Sequence, residues 1–254
     1  MKKWIVVGAA LLVGCATQPG GSGSSTEADN SGDRQRARAF TDLASAYFVR
    51  AQYKIALDEL RKAITADSRY GPAYNIYGQV YMELAEDGLA EENFRRAIEL
   101  DRGDSVARNN YGWFLCTRGR YDEGLEQFSL ALRNPLYAQP EQAMSNAGLC
   151  AEKKGDLALA EANLLKSLKL QPDNPGAALR LAGLYFRQGR LPEARQQLGR
   201  HAELAPPTAE SLWLGVRLER KLGDRAQEAA YGLQLRKRFS DSNEARLLLM
   251  GQYE

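Results

Sequence analysis

The chain has 254 residues, 44% of them hydrophobic, with 34 Lys and Arg against 32 Asp and Glu, which places it among soluble globular proteins of one or two ordinary domains. Acidic and basic residues are interspersed throughout, so the basic stripe expected of a nucleic-acid binder is missing. A single histidine, His201, removes the commonest zinc, non-haem iron and triad chemistries.

The first element is an address. Lys2 and Lys3 precede an eleven-residue apolar run, Trp4 to Gly14, too short to span a bilayer and suited to a signal-peptide core. It ends in Leu12-Val13-Gly14-Cys15, which resembles the lipobox of bacterial lipoproteins. That resemblance implies removal of residues 1–14 and acyl chains on Cys15 as the only covalent addition, several chains together making a stable anchor. Removal takes away Lys2 and Lys3 and no acidic residue, leaving a formally neutral mature chain. Ala16 stands where an inner-membrane retention signal commonly has Asp, so the lipoprotein pattern points to the outer membrane, facing the periplasm. Residues 16–33, ATQPGGSGSSTEADNSGD, read as a flexible tether, roughly 20–25 Å end to end as a random coil.

From Arg34 to Glu254 a helical period never stops, and self-similarity at a fixed spacing appears. Leu43-Ala44, Tyr77-Gly78, Tyr111-Gly112, Ala147-Gly148, Leu181-Ala182 and Leu214-Gly215 recur at intervals of 34, 34, 36, 34 and 33. A second small residue recurs as Ala56, Ala90, Gly124, Ala160, Ala194 and Ala229, each followed four positions later by Leu60, Phe94, Phe128, Leu164, Leu198 or Leu233. This resembles the tetratricopeptide repeat, a 34-residue helix-turn-helix, and implies an all-α right-handed superhelical solenoid. The small residues let paired antiparallel helices approach closely while the large ones fill the space between them. Gly119, Gly155, Gly189 and Gly223 end first helices, Pro172 and Pro206 mark unit junctions, and Asn134 to Pro140 forms a longer loop. Six repeats run from near Ala37 to near Phe239. Asp241 to Glu254 then reads as a short terminal helix with Asp241 and Glu244 as its capping pair.

No GxSxG, P-loop, HExxH or CxxC occurs, so neither catalysis, a metal nor a small-molecule substrate is expected. His201, at the position of Ala63, Ala97 and Ala131, reads as a packed histidine. The carboxylates read as solvated faces with local Lys and Arg partners. Cys116 and Cys150 lie 34 residues apart, late in the first helices of adjacent units. An oxidising compartment and this spacing favour a disulfide; helix axes 8–10 Å apart leave two buried thiols as the alternative.

The first helices of such an array line its concave surface. Register places Phe48, Asn75, Gln79, Met82, Asn109 and Trp113 there, a mixed apolar and amide face suited to peptide capture. The competing reading makes Phe48 and Trp113 core and has Asn75, Asn109, Asn110 and Asn146 tie neighbouring helices. Thr41, Ser45, Asn75 and Gln79 stand where a carboxylate clamp would need Lys or Arg, which disfavours a C-terminal carboxylate as ligand.

Asn109 to Cys116 (NNYGWFLC), Asn134 to Tyr137 (NPLY), Asn146 to Cys150 (NAGLC) and Leu212 to Arg217 (LWLGVR) resemble the type IV pilus pilotin family, PilF/PilW, along the whole chain. The resemblance implies an outer-membrane lipoprotein of six repeats that brings pilus secretin subunits to the outer membrane and promotes their multimerisation, for pilus biogenesis and twitching motility. Both mature cysteines belong to matching segments, which adds to the case for the disulfide. The alternative is a periplasmic scaffold lipoprotein docking cell-wall hydrolases or an outer-membrane protein assembly machine.

Overall fold

The computed structural model describes residues 24–253, so Cys15, the signal segment 1–14 and the first part of the tether lie outside the described residues. Thirteen helices and no strand occur among the described residues. Six antiparallel pairs make up the array: α1 (Ser24–Val49) with α2 (Tyr53–Ala66), α3 (Gly71–Glu83) with α4 (Asp87–Leu100), and α5 (Ser105–Thr117) with α6 (Tyr121–Ala131). They continue with α7 (Pro140–Lys154) and α8 (Leu157–Leu170), α9 (Pro175–Arg187) and α10 (Leu191–Leu204), then α11 (Ala209–Leu222) and α12 (Arg225–Arg238). A last helix, α13 (Asn243–Met250), closes the stack.

Each first helix touches the first helix of the next unit, α1 on α3 through to α11 on α13, whereas no second helix touches the next second helix among α2 to α12. The stack therefore closes on its first-helix side and opens on the other, which makes a superhelix with the first helices on the inner face.

The small positions do what close packing requires. A Cβ on Gly78 would stand 2.7 Å from the Phe94 ring, and one on Gly124 would stand 2.8 Å from the Gly112 carbonyl oxygen. Phe94, Phe128, Leu60 and Leu164 are fully buried in the gaps so created. The turn between paired helices needs a left-handed residue: Gly119, Gly155, Gly189 and Gly223 supply it in the last four units, while Ala51 and Ala85 adopt φ of 56° and 58° in the first two.

Three details differ from the sequence reading. Helix α1 begins at Ser24, so residues 24–33 continue a helix instead of belonging to the tether. Once the packed segment after Arg34 has nucleated the helix, extension costs little per residue, and Arg36 pairs with Asp33 on this stretch. In the sixth unit Ala229 and Leu233 face solvent; the ring of Tyr231 fills the place of Phe94, lying 2.8 Å from a Cβ on Gly215. Helix α12 is rich in small residues, Ala226, Ala229 and Ala230, and the aromatic one-turn contact selects the register that the alanines leave open. The last helix is capped by Ser242, whose Oγ accepts from the Ala245 amide at 3.1 Å, in place of Asp241 and Glu244.

Candidate partner-binding groove

Register along the first helices builds the inner face. At spacings of 35, 36 and 34 residues, Asn75, Asn110, Asn146 and Arg180 occupy one line across α3, α5, α7 and α9. Asn110 Nδ2 donates to Asn75 Oδ1 at 3.1 Å, Asn146 Nδ2 donates to Asn109 Oδ1 at 3.2 Å, and Arg180 donates to Ser145 Oγ at 2.7 Å. Each bond joins one first helix to the next, so the amides stitch the inner face together while satisfying groups that packing would otherwise strand.

Over this line lies a cavity of about 280 Å³. Phe48, Gln79, Met82, Asn109 and Trp113, all expected from the sequence, line it together. Asn75 does not: it is buried beneath the groove and committed to Asn110. Phe48, Met82 and Trp113 are half-buried, each with one side against the core clusters of its own unit and one toward the groove, so the core and binding readings describe two faces of the same side chains. The structure adds Glu83, Asn110, Gln142, Asn146 and Arg180 to the lining, which extends the groove to the fifth unit. Arg180 was legible as the fourth member of the register line, where the amide gives way to a cation.

Burial pushes the Arg180 guanidinium below its usual range, against the field of Glu210 on α11. No carboxylate lies within ion-pair distance of Arg180 among the described residues, and its guanidinium donates a hydrogen bond to Ser145 Oγ. Neighbouring arginines are engaged: Arg187 pairs with Glu152, and Arg217 lies over the Phe186 ring and donates to the Tyr253 carbonyl at 2.9 Å.

Cys116 on α5 and Cys150 on α7 are joined as a disulfide, with Cα atoms 5.7 Å apart, inside the bridging range rather than at its upper limit. Their helices are direct neighbours on the inner face. His201 is buried, with Nδ1 3.0 Å from the Pro175 carbonyl. Ser167, one repeat earlier, makes the same 26-residue link to the Glu141 carbonyl, so His201 acts as a helix tie.

Many carboxylates keep the expected local partners, as Asp58 does with Arg61 and Glu99 with Arg96, whereas those at three unit seams do more. Glu91 accepts from Arg120 at 2.7 Å and from the Tyr111 hydroxyl at 2.8 Å; Glu161 accepts from Arg190 and from the Tyr185 hydroxyl in the same way two units later. The Arg120 hydrogen bond, joined by Tyr111, holds the Glu91 carboxyl below its usual range against the opposing effect of burial. Arg195 pairs with Asp224 at 2.9 Å and with Glu219 at 3.0 Å. Glu219 is almost fully buried, and that burial raises its carboxyl despite Arg195. In all three seams the first charge and its opposite are 29 residues apart.

Fold and groove together define a tetratricopeptide repeat protein. Tetratricopeptide repeat family models match residues 71–104, 93–126, 115–175 and 151–213. The type IV pilus assembly protein PilF of Pseudomonas aeruginosa is 32% identical over 92% of this chain and 91% of its own length. The solved structure of Pseudomonas aeruginosa PilF superposes with a TM-score of 0.76 at 30% identity, covering 87% of this chain and all of that one. That of PilW, described as a widely conserved type IV pilus biogenesis factor, gives 0.77 at 32% identity over 84% of this chain and 98% of the other. The Cut9–Hcn1 assembly shares the fold alone, with a TM-score of 0.73 at 15% identity over 85% of this chain and 42% of that one. The chain belongs to the PilF/PilW family of tetratricopeptide repeat proteins of type IV pilus biogenesis.

Proposed function

We propose that this chain is the pilotin of its type IV pilus system: a lipoprotein anchored in the outer membrane through Cys15, facing the periplasm, that binds secretin subunits and promotes their multimerisation. The family match across the whole array carries the reading. The open inner groove supports it as the place of contact, since Phe48, Met82 and Trp113 offer apolar surface beside amides that can pair with an extended backbone. The lipid on Cys15 confines the array to the membrane surface and raises its effective concentration for a membrane-bound partner. No bond chemistry is needed.

The test is an immunoblot for heat- and detergent-resistant secretin multimer in fractionated membranes. Wild type is compared with a deletion and with Cys15→Ala carrying a non-lipid signal. Loss of multimer in the deletion, with secretin left in the inner membrane when the lipid is missing, is the expected result. Unchanged multimer in both strains contradicts the proposal and favours a general periplasmic scaffold.

A further inference from the structure

The groove is not electrically symmetric. Phe48 and Met82 lie toward the first units with the exposed Glu83 beside them, and Arg180 stands at the other end, in the fifth unit. A guanidinium that is half-buried, carries no carboxylate partner and opens into a cavity bounded by aromatic and thioether groups has a charge-assisted bond still to make. Only the field of Glu210, which lies outside ion-pair distance on α11, opposes the desolvation of this guanidinium, and a ligand anion in direct contact offsets more of that cost on binding. The shortage of cations in the first two units, which argues against a carboxylate ligand on sequence alone, is answered by a residue three units further along. The amides between the two ends, Gln79, Asn110 and Asn146 among them, present donors and acceptors of the kind an extended backbone uses.

We propose that Arg180 is a carboxylate anchor, and that the groove takes an extended peptide segment with an aromatic or aliphatic side chain on Phe48, Met82 and Trp113 and a carboxylate on Arg180. The segment runs so that its acidic end lies toward the fifth unit, away from Glu83. This deepens the pilotin reading by naming the chemistry of the segment bound, and rests on that reading only for the identity of the partner. An Asp or Glu side chain and a free C-terminus present the same carboxylate.

The test is selection of random dodecapeptides on the full chain in detergent, from one library with free C-termini and one with the peptides held internally. Affinities of the selected peptides are then measured. Wild type is expected to enrich an apolar residue accompanied by Asp or Glu in both libraries if a side chain is read, and only in the free-end library if the terminus is read. Arg180→Gln is expected to lose the acidic preference and about ten- to hundredfold in affinity, with Arg180→Lys in between. Changing the acidic residue of a selected peptide to its amide, or amidating its terminus, is expected to cost the same factor on the wild-type protein, a readout that leaves the fold untouched. An acid-free consensus, no enrichment at all, or equal affinity for the acid and amide peptides overturns the proposal. The selection contains no secretin, so these failures are distinct from a failure of the multimer assay.

Discussion

The seams between neighbouring units are built in two ways. Between the second and third units, and again between the fourth and fifth, a glutamate on the second helix meets an arginine at the next unit's corner. Between the third and fourth, the position of Glu91 and Glu161 is taken by Leu125, which packs against the clusters on both sides, and the Cys116–Cys150 link joins the first helices. The corner residue follows suit. Arg120 and Arg190 leave their own helix N-termini without a side-chain cap and reach back to the preceding unit, whereas Asp156 stays at home and accepts from the Leu159 amide at 3.0 Å. Asp224 does both, capping α12 and pairing with Arg195. At Arg120 and Arg190 the corner position therefore trades local helix stability for unit-to-unit cohesion. Glu86, the corner of the second unit, neither caps its helix nor forms an ion pair among the described residues, and the seam of Asp156 is the one that holds the covalent link, a Lys154–Asp122 ion pair and the longest loop, residues 132–139.

If the covalent seam carries that region, its removal has the largest effect. The Cys116→Ser, Cys150→Ser double variant is expected to lose about 3–4 kcal/mol for a closed loop of 34 residues, seen as a lowered urea midpoint that dithiothreitol reproduces in wild type. Two alkylatable thiols in the non-reduced unfolded protein would contradict the pairing. Next is the shared close approach of helices beside that seam: Gly124→Ala forces a Cβ onto the Gly112 carbonyl, and about 1–3 kcal/mol should be lost by the same measurement. Neither cost depends on pH.

The ionic seams sharpen the contrast because they do depend on pH. Glu91, Glu123 and Glu193 are held below the usual 4.5 by the arginines they pair with. Groups lowered in the folded state contribute stability above their unfolded values, and that contribution disappears as pH falls through the lowered ones. Melting temperature should therefore hold from pH 7 to about 5 and fall below about 4.5, with a shallower fall in Glu91→Gln. At pH 7 that variant should lose only about 1 kcal/mol, because the arginine side is open to solvent and screened. An unchanged acid profile in Glu91→Gln would assign the acid sensitivity to other groups. The smallest effect is a gain: Ala85→Gly relieves a left-handed alanine and is expected to stabilise by about 0.5–1 kcal/mol.

The repeat period was legible because it depends on helix packing within a unit, and a Gly or Ala facing a Phe or Leu leaves a mark at a fixed spacing. The turn glycines were legible for the same reason, each marking a left-handed position. What lies between units left a fainter mark. The pairing of Glu91 with Arg120 is visible as opposite charges 29 residues apart, but only in the seams that use it, and many unrelated charges share that spacing. The sixth unit misled because three alanines in α12 offer equivalent registers until Tyr231 is seen against Gly215. Five of the six groove residues follow from register alone; Asn75 fails because its neighbour Asn110 draws the amide inward, and Arg180 was missed because the line was followed through three units instead of five.

The groove as the place of secretin contact is tested most directly by Met82→Glu, placed beside Glu83 where it adds a second negative charge to the apolar end. The secretin multimer is read in membranes while circular dichroism follows the array's helicity and melting. Loss of multimer with the helical signal and melting temperature preserved is the expected result. Undiminished multimer would contradict the groove as the contact.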